Sequence, residues 1–156
     1  MSDGQSNPNF EIIKINSSHL EEIAKIERAV FGEPWSAESL ALLLEGDNAG
    51  FAARLSDGSV VAYAGMVAVL DEGQITNVAT LPEHRRRGLG RALVEAIIAY
   101  AKEKGLASIV LEVRNSNFAA VELYRSMGFS PCGLRKDFYR FPTENALIMV
   151  KRLNRQ

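Results

Sequence analysis

The sequence predicts a mixed α/β domain, antiparallel in its first half and crossed by helices in its second. Three features carry this prediction. Ala49 to Leu55 and Val60 to Leu70 are apolar runs joined by Ser56-Asp57-Gly58-Ser59, and Asp-Gly between such runs signals a hairpin. Gly88 to Lys104 places Leu89, Leu93, Ile97 and Tyr100 on one helical stripe, with Gly105 as its stop. Ser108 to Val113 then supplies an apolar run expected to be buried on both faces.

The remaining elements follow in order. Residues 1–9 hold Gly, Ser, Asn and Pro and predict a flexible lead-in, leaving 10–156 as a single domain. Phe10 to Ile15 reads as a strand. Ser18 and Glu21 have capping-box spacing before a helix carrying Leu20, Ile23, Ala24 and Glu27 and running to Phe31. Gly32 and Pro34 end it, and Ser36 caps a second helix, Ala37 to Glu45, closed by Gly46. Asp71-Glu72-Gly73 turns into a strand from Gln74 to Leu81. Asn117 to Met127 is a helix stopped by Gly128, with strands expected over Phe129 to Leu134 and Ala146 to Leu153.

Composition narrows the function classes. Eighteen Lys and Arg against 19 Asp and Glu leave a net charge of -1, too balanced for a general nucleic-acid coat, so no nucleic-acid partner is expected. No run approaches the ~18–20 apolar residues of a membrane span, and the first residues are polar, so a cytoplasmic protein with no membrane partner is expected. One cysteine excludes an intrachain disulfide framework and fits a reducing compartment. Cys132 lacks a neighbouring His and reads as a buried or inert thiol. His19 and His84 read as solvent-facing, and with both far from Cys132 no metal site is expected.

The segment from Ile75 to Val94 runs strand, Pro-containing turn, Arg85-Arg86-Arg87-Gly88-Leu89-Gly90, helix. Glycines there let backbone amides approach a ligand, and the helix N-terminus adds unpaired N–H groups, a combination suited to a pyrophosphate. With 12 glycines in 156 residues a G-x-G pair arises by chance roughly once per chain, so an ordinary turn with a solvated basic run stays open. Leu93 occupies the third glycine position of a dinucleotide fingerprint, which argues against a Rossmann site, and no Gly-Lys-Ser/Thr follows, so a Walker P-loop fails.

Arg85-x-x-Gly88-x-Gly90 between strand and helix resembles the signature of the GNAT superfamily of acetyl-CoA-dependent N-acetyltransferases. The element order matches that fold from Phe10 to Leu153: a mixed, mostly antiparallel central sheet flanked by helices. Phe31-Gly32-Glu33-Pro34-Trp35-Ser36, Leu111-Glu112-Val113-Arg114-Asn115-Ser116-Asn117 and Leu123-Tyr124-Arg125-Ser126-Met127-Gly128-Phe129 are similar to segments of RimI-type alanine acetyltransferases, which act on the N-terminus of a ribosomal small-subunit protein. The resemblance implies acetyl-CoA as co-substrate, a protein N-terminus as acceptor, and a monomer or weak homodimer. It implies Glu112 as base and Tyr124 as acid. Val78, Ala79 and Thr80 would offer strand backbone to the pantetheine arm and acetyl carbonyl, Arg85, Arg86, Arg87, Gly88, Leu89, Gly90 and Arg91 would wrap the pyrophosphate, and Asn117 would touch the cofactor. Phe138-Tyr139 and Glu144-Asn145-Ala146 depart from the Tyr-Tyr pair and Glu-Asp-Ala run of that group, at a segment that shapes the acceptor slot.

The chemistry has bland alternatives. An α-amine with a pKa of about 8 is easier to deprotonate near neutrality than a lysine at about 10.4, so a carboxylate base suffices. Glu112 and Arg114 share a strand face and could simply form an ion pair. Tyr124 has core spacing with Ala120, Leu123 and Met127 and could simply pack. Trp35 reads as a core or lid anchor. Lysine side chains or small amines as acceptors, a non-catalytic acyl-CoA sensor, and a nucleic-acid module using Arg85 to Arg87 are the alternative functions.

Overall fold

A computed structural model describes residues 9–153; the expected lead-in falls outside the described residues except for Asn9. Seven strands form one sheet in the order β1-β2-β3-β4-β5-β7-β6. They are β1 (Phe10–Lys14), β2 (Ala49–Leu55), β3 (Val60–Val69), β4 (Glu72–Thr80), β5 (Ser108–Arg114), β6 (Ser130–Tyr139) and β7 (Glu144–Arg152). Only β4 and β5 pair in parallel. The helices are α1 (Leu20–Val30), α2 (Ala37–Leu40), α3 (Leu89–Glu103) and α4 (Phe118–Ser126).

The β2–β3 hairpin forms as its Asp-Gly turn predicts. Asp57 accepts from the Ser59 amide at 2.9 Å and the Ser59 hydroxyl at 2.7 Å, and Gly58 takes the positive φ of 93° that the turn needs. The next turn is tighter than expected, so β4 begins at Glu72 rather than Gln74. Ser18 does not cap α1. Asn16 caps a preceding 3₁₀ turn, accepting from the Ser18 amide at 2.9 Å, while its own amide donates to His19 Nδ1 at 3.0 Å, which leaves His19 half-buried. Ser36 does cap α2, but regular helix ends at Leu40 and Ala41–Leu44 tightens into 3₁₀.

Two apolar layers cover the sheet. On one face Leu89, Leu93, Val94 and Ile97 of α3 meet Ile109, Leu111 and Val113 of β5 together with Tyr124, Phe129 and Met149. On the other, Ile23 and Ile26 of α1 and Leu40 of α2 meet Ala52, Tyr63 and Ala79. Each fully buried Leu or Ile contributes roughly 1.5–3 kcal/mol. Strand β5 is not buried on both faces: Ile109, Leu111 and Val113 are inside, whereas Val110, Glu112 and Arg114 alternate with them half-exposed. That alternation puts Glu112 and Arg114 on the face opposite α3.

Strand β4 serves both layers because it is bulged. Gly65 pairs with Asn77 and Met66 with Ile75, so Thr76 is an extra residue without a partner on β3. Before it, Ile75 joins the α3 layer. After it, Ala79 joins the α1 layer, although an even spacing of four residues would keep both on one face.

The edge strand β6 is longer than the Phe129–Leu134 expected from sequence, and its bulges after Pro131 and Arg135 suit an edge that carries a proline. Phe129 lies outside it, buried against the Tyr124 ring with centroids 5.9 Å apart. Cys132 is exposed on β6 rather than buried.

Candidate active site

The site is built where β4 and β5 part. Their parallel pairing covers only Glu72↔Ser108 to Gln74↔Val110; beyond it, the β5-facing edge of β4 is unpaired through Val78, Ala79 and Thr80. Ala79 is buried and its neighbours are half-buried, so these three residues present a sheltered length of backbone donors and acceptors.

Thr80 leads into the basic turn. Arg85 Nε donates to the Thr80 carbonyl at 3.1 Å, folding the turn back on the strand. Arg86 and Gly88 both take left-handed backbone, with φ of 67° and 78°. Gly88 caps α3 without a side chain, and the first helical bond runs from the Ala92 amide to the Gly88 carbonyl at 3.1 Å. The amides of Leu89, Gly90 and Arg91 are therefore free of helical bonds at the positive end of a 15-residue helix. Arg85, Arg86 and Arg87 are exposed, and Leu89 is a core residue whose side chain anchors the turn. Arg91 reaches across to Ser126 Oγ at 2.6 Å. This cradle fits an anionic, extended group such as the pyrophosphate of acetyl-CoA. His84, one residue before it, is half-buried rather than solvent-facing, and its covered Nδ1 has no hydrogen-bond partner.

Glu112 lines a cleft of about 300 Å³ with Gln74, Val110 and Arg135. Its ion pair is with Arg135 of β6, Nε to Oε2 at 2.9 Å, and not with Arg114. Arg114 instead organises the β6–β7 connection: it donates to the carbonyls of Pro142 and Arg140, each at 3.0 Å, bonds Glu144 at 3.2 Å, and lies 4.5 Å over the Tyr139 ring. Glu144 Oε2 also accepts from the Ser116 amide at 2.6 Å, and the bond to Ser116 is the main reason its carboxyl is held below the usual value.

Tyr124 is 7% exposed, and burial pushes its phenol up to about 12. It does not line the Glu112 cleft, and the two side chains share no hydrogen bond. Tyr139 stands in electrostatic range of both; burial first, then the Glu112 carboxylate, raise it to about 12. Asn117 caps α4, accepting from the Ala120 amide at 3.2 Å, so its side chain already has a structural bond.

A second cleft, about 390 Å³, adjoins the parting strands. Phe31, Trp35 and Tyr139 wall it, Thr76 and Asn77 floor it, and Arg114 and Glu27 reach it. Glu33 and Arg140 bridge its mouth at 2.9 Å. Trp35 is thus a half-buried wall of the cleft. The sequence offered no signal for Asn77 or Arg135, whereas Tyr139 lies in the segment expected to shape the acceptor slot and does line this cleft. For Glu27 a signal existed: a carboxylate on the stripe of Leu20, Ile23 and Ala24 has to be buried, and it is 1% exposed.

A sheet parted between its parallel strands, with a glycine-turned helix N-terminus below the gap, defines an acyl-CoA-dependent transferase. The chain belongs to the acetyltransferase (GNAT) family, which matches residues 20–129, and it is an acetyl-CoA-dependent N-acetyltransferase. It is 36% identical over 143 residues to the ribosomal protein bS18-alanine N-acetyltransferase of Escherichia coli (strain K12), covering 89% of this chain and 95% of that one. A Bacillus subtilis (strain 168) protein provisionally given the same name is 38% identical over 136 residues, 86% of this chain and 90% of its own. The crystal structure of the Escherichia coli ribosomal-protein-S18-alanine N-acetyltransferase superposes with a TM-score of 0.87 at 33% identity, covering 94% of this chain and 96% of that one. No helix among the described residues is long and apolar enough to cross a membrane.

Proposed function

We propose that this enzyme acetylates the N-terminal α-amine of an alanine-starting protein, ribosomal protein bS18. The observation that carries the acceptor is the near-full-length similarity to bS18-alanine N-acetyltransferases at 36% identity; the aromatic-walled cleft of about 390 Å³ beside the parting strands has room for a peptide end. Val78, Ala79 and Thr80 would hold the pantetheine arm and acetyl carbonyl. The turn from Arg85 to Arg91 would hold the pyrophosphate, chiefly through main-chain amides. Asn117, already engaged as a helix cap, would lie beside the cofactor.

In this reading Glu112 takes the proton from the acceptor ammonium, and the freed amine forms a bond to the thioester carbon. A backbone amide of β4 stabilises the carbonyl oxygen as charge gathers on it. When the carbon–sulfur bond breaks, the Tyr124 hydroxyl gives its proton to the thiolate, and the second N–H proton of the acylated nitrogen, released through water, restores the phenol, so that the net proton set free is the one Glu112 took. Burial keeps Tyr124 protonated across the physiological range. The same burial makes it a weaker acid, a loss that desolvation of the thiolate would offset by making it a stronger base.

The test is acetyl-CoA with a panel of acceptors, following thiol release and product mass. A peptide with the bS18 N-terminal sequence is expected to outpace lysine peptides and small amines by ~100-fold or more in kcat/KM, since correct placement of the amine dominates the rate. Preference for a lysine side chain would overturn the acceptor assignment.

A further inference from the structure

We infer that Glu27 is a positioning residue for the acceptor: it fastens the loop between α1 and α2 to strand β4 and so fixes the width of the cleft between them. The inference rests on the reading that this cleft takes the acceptor peptide. Glu27 lies in the last turn of α1, 1% exposed. Its partners are three donors rather than a basic side chain. Oε2 accepts from the Trp35 amide at 2.8 Å, in the loop that walls the cleft. Oε1 accepts from the Tyr63 hydroxyl on β3 and from Asn77 Nδ2 on β4 at 3.1 Å.

Each partner comes from a different piece of chain, and two of the three, Trp35 in the loop and Asn77 on β4, line the cleft. A buried carboxylate is retained only where donors compensate its desolvation, so the contact fixes all three pieces together. Asn77 shows which way the link is biased. Because a carboxylate can only accept, the amide must turn its NH₂ toward Glu27, and its Oδ1 is left buried without a partner. A residue that only filled space there would be apolar. Asn77 also sits immediately after the Thr76 bulge and immediately before Val78 and Ala79, so the strand tied to the acceptor wall is the one that would carry the thioester.

The chain has a single tryptophan, Trp35, half-buried at the fastened loop, which gives a readout besides activity. In the full-length protein, Glu27→Gln and Asn77→Leu are each expected to raise the peptide KM by ~10-fold or more while the acetyl-CoA KM stays within about twofold. Glu27→Gln is also expected to increase acrylamide quenching of the Trp35 fluorescence. Tyr63→Phe removes a bond that touches neither wall, and should lower the melting temperature with the peptide KM within about twofold. An unmoved peptide KM in both Glu27→Gln and Asn77→Leu, or peptide and acetyl-CoA KM rising together, would overturn the inference. If Glu27→Gln does not fold, the KM split in Asn77→Leu decides. If the wild-type enzyme acetylates no peptide at all, the reading of the cleft fails, while unchanged or increased Trp35 quenching still decides whether Glu27 holds the loop.

Discussion

Replacing Tyr124 by Phe removes one oxygen from a side chain that is 7% exposed and leaves its ring contact with Phe129 in place. Two consequences separate a proton donor from a packing tyrosine. Loss of a positioned acid costs ~10²–10⁴-fold in kcat, which is roughly 3–5 kcal/mol of transition-state stabilisation. Packing alone predicts no such loss, because the ring remains. The second consequence concerns pH. The phenol is raised from an ordinary 10 to about 12 by burial, so its folded value lies above its unfolded one. The neutral phenol's contribution is complete below pH 10 and is lost as the pH rises from 10 through 12, amounting to roughly 3 kcal/mol at most. Tyr124→Phe has nothing to ionise and should lose less stability over that window than the wild type. The assay is single-turnover and steady-state acetylation of an alanine-starting peptide, alongside denaturant unfolding at pH 8 and pH 11. A kcat within about threefold of wild type, with acetyl-CoA saturating, would refute the acid role, since even the weakest positioned acid contributes more.

Other expectations follow from the same geometry. Glu112→Gln should lower kcat by ~100-fold or more with acetyl-CoA affinity intact by calorimetry; its ion-pair partner Arg135 is 58% exposed and stays solvated, so folding should change little, and a near-normal rate would remove Glu112 as base. Gly88→Ala meets no neighbouring atom but must hold a φ of 78°. It should cost ~1–2 kcal/mol, weaken CoA binding and leave the peptide KM unchanged; unaltered CoA affinity would argue against the turn as a pyrophosphate cradle. Arg114→Lys cannot reproduce the fork that engages Pro142, Arg140 and Glu144, so the peptide KM should rise ~5–10-fold, measured by initial rates. Glu144 has its carboxyl value lowered on folding, chiefly by the bond to Ser116. Its tether should therefore be fully present above the unfolded value near 4.5 and be lost only as the pH falls through the lower folded value. The difference in melting temperature between wild type and Glu144→Gln should hold from pH 7 to pH 5 and shrink below pH 4.

Much of the fold was legible because its punctuation is local. Asp57-Gly58 specified a hairpin, Gly105 and Gly128 ended helices, and the stripe from Leu89 to Tyr100 needed no partner to be recognised. What escaped the sequence depends on pairing across the chain. The extra residue at Thr76 exists only relative to β3. The extension of β6 to Tyr139 depends on β7 beside it, since nearly all of its residues are exposed and carry no burial pattern. Asn16 displaced Ser18 as a cap because His19 folded back to satisfy its amide. At the candidate site, the motif segments contain Glu112 and Arg114, which line the two clefts, but not their partners: Arg135 lies 23 positions after Glu112 and meets it only through the β6–β7–β5 arrangement.

The bulge at Thr76 works as a parity bit in an otherwise alternating code. Side chains on either half of β4 can be exchanged one at a time, and each exchange is felt by a single layer. Pairing Thr76 regularly with β3, with the residue count unchanged, would send Asn77 and Ala79 into the layer of α3 and leave Glu27 facing a different set of neighbours. What assigns Ile75 and Ala79 to separate cores is thus the unpaired state of Thr76, a property of the backbone that no side chain on β4 encodes alone.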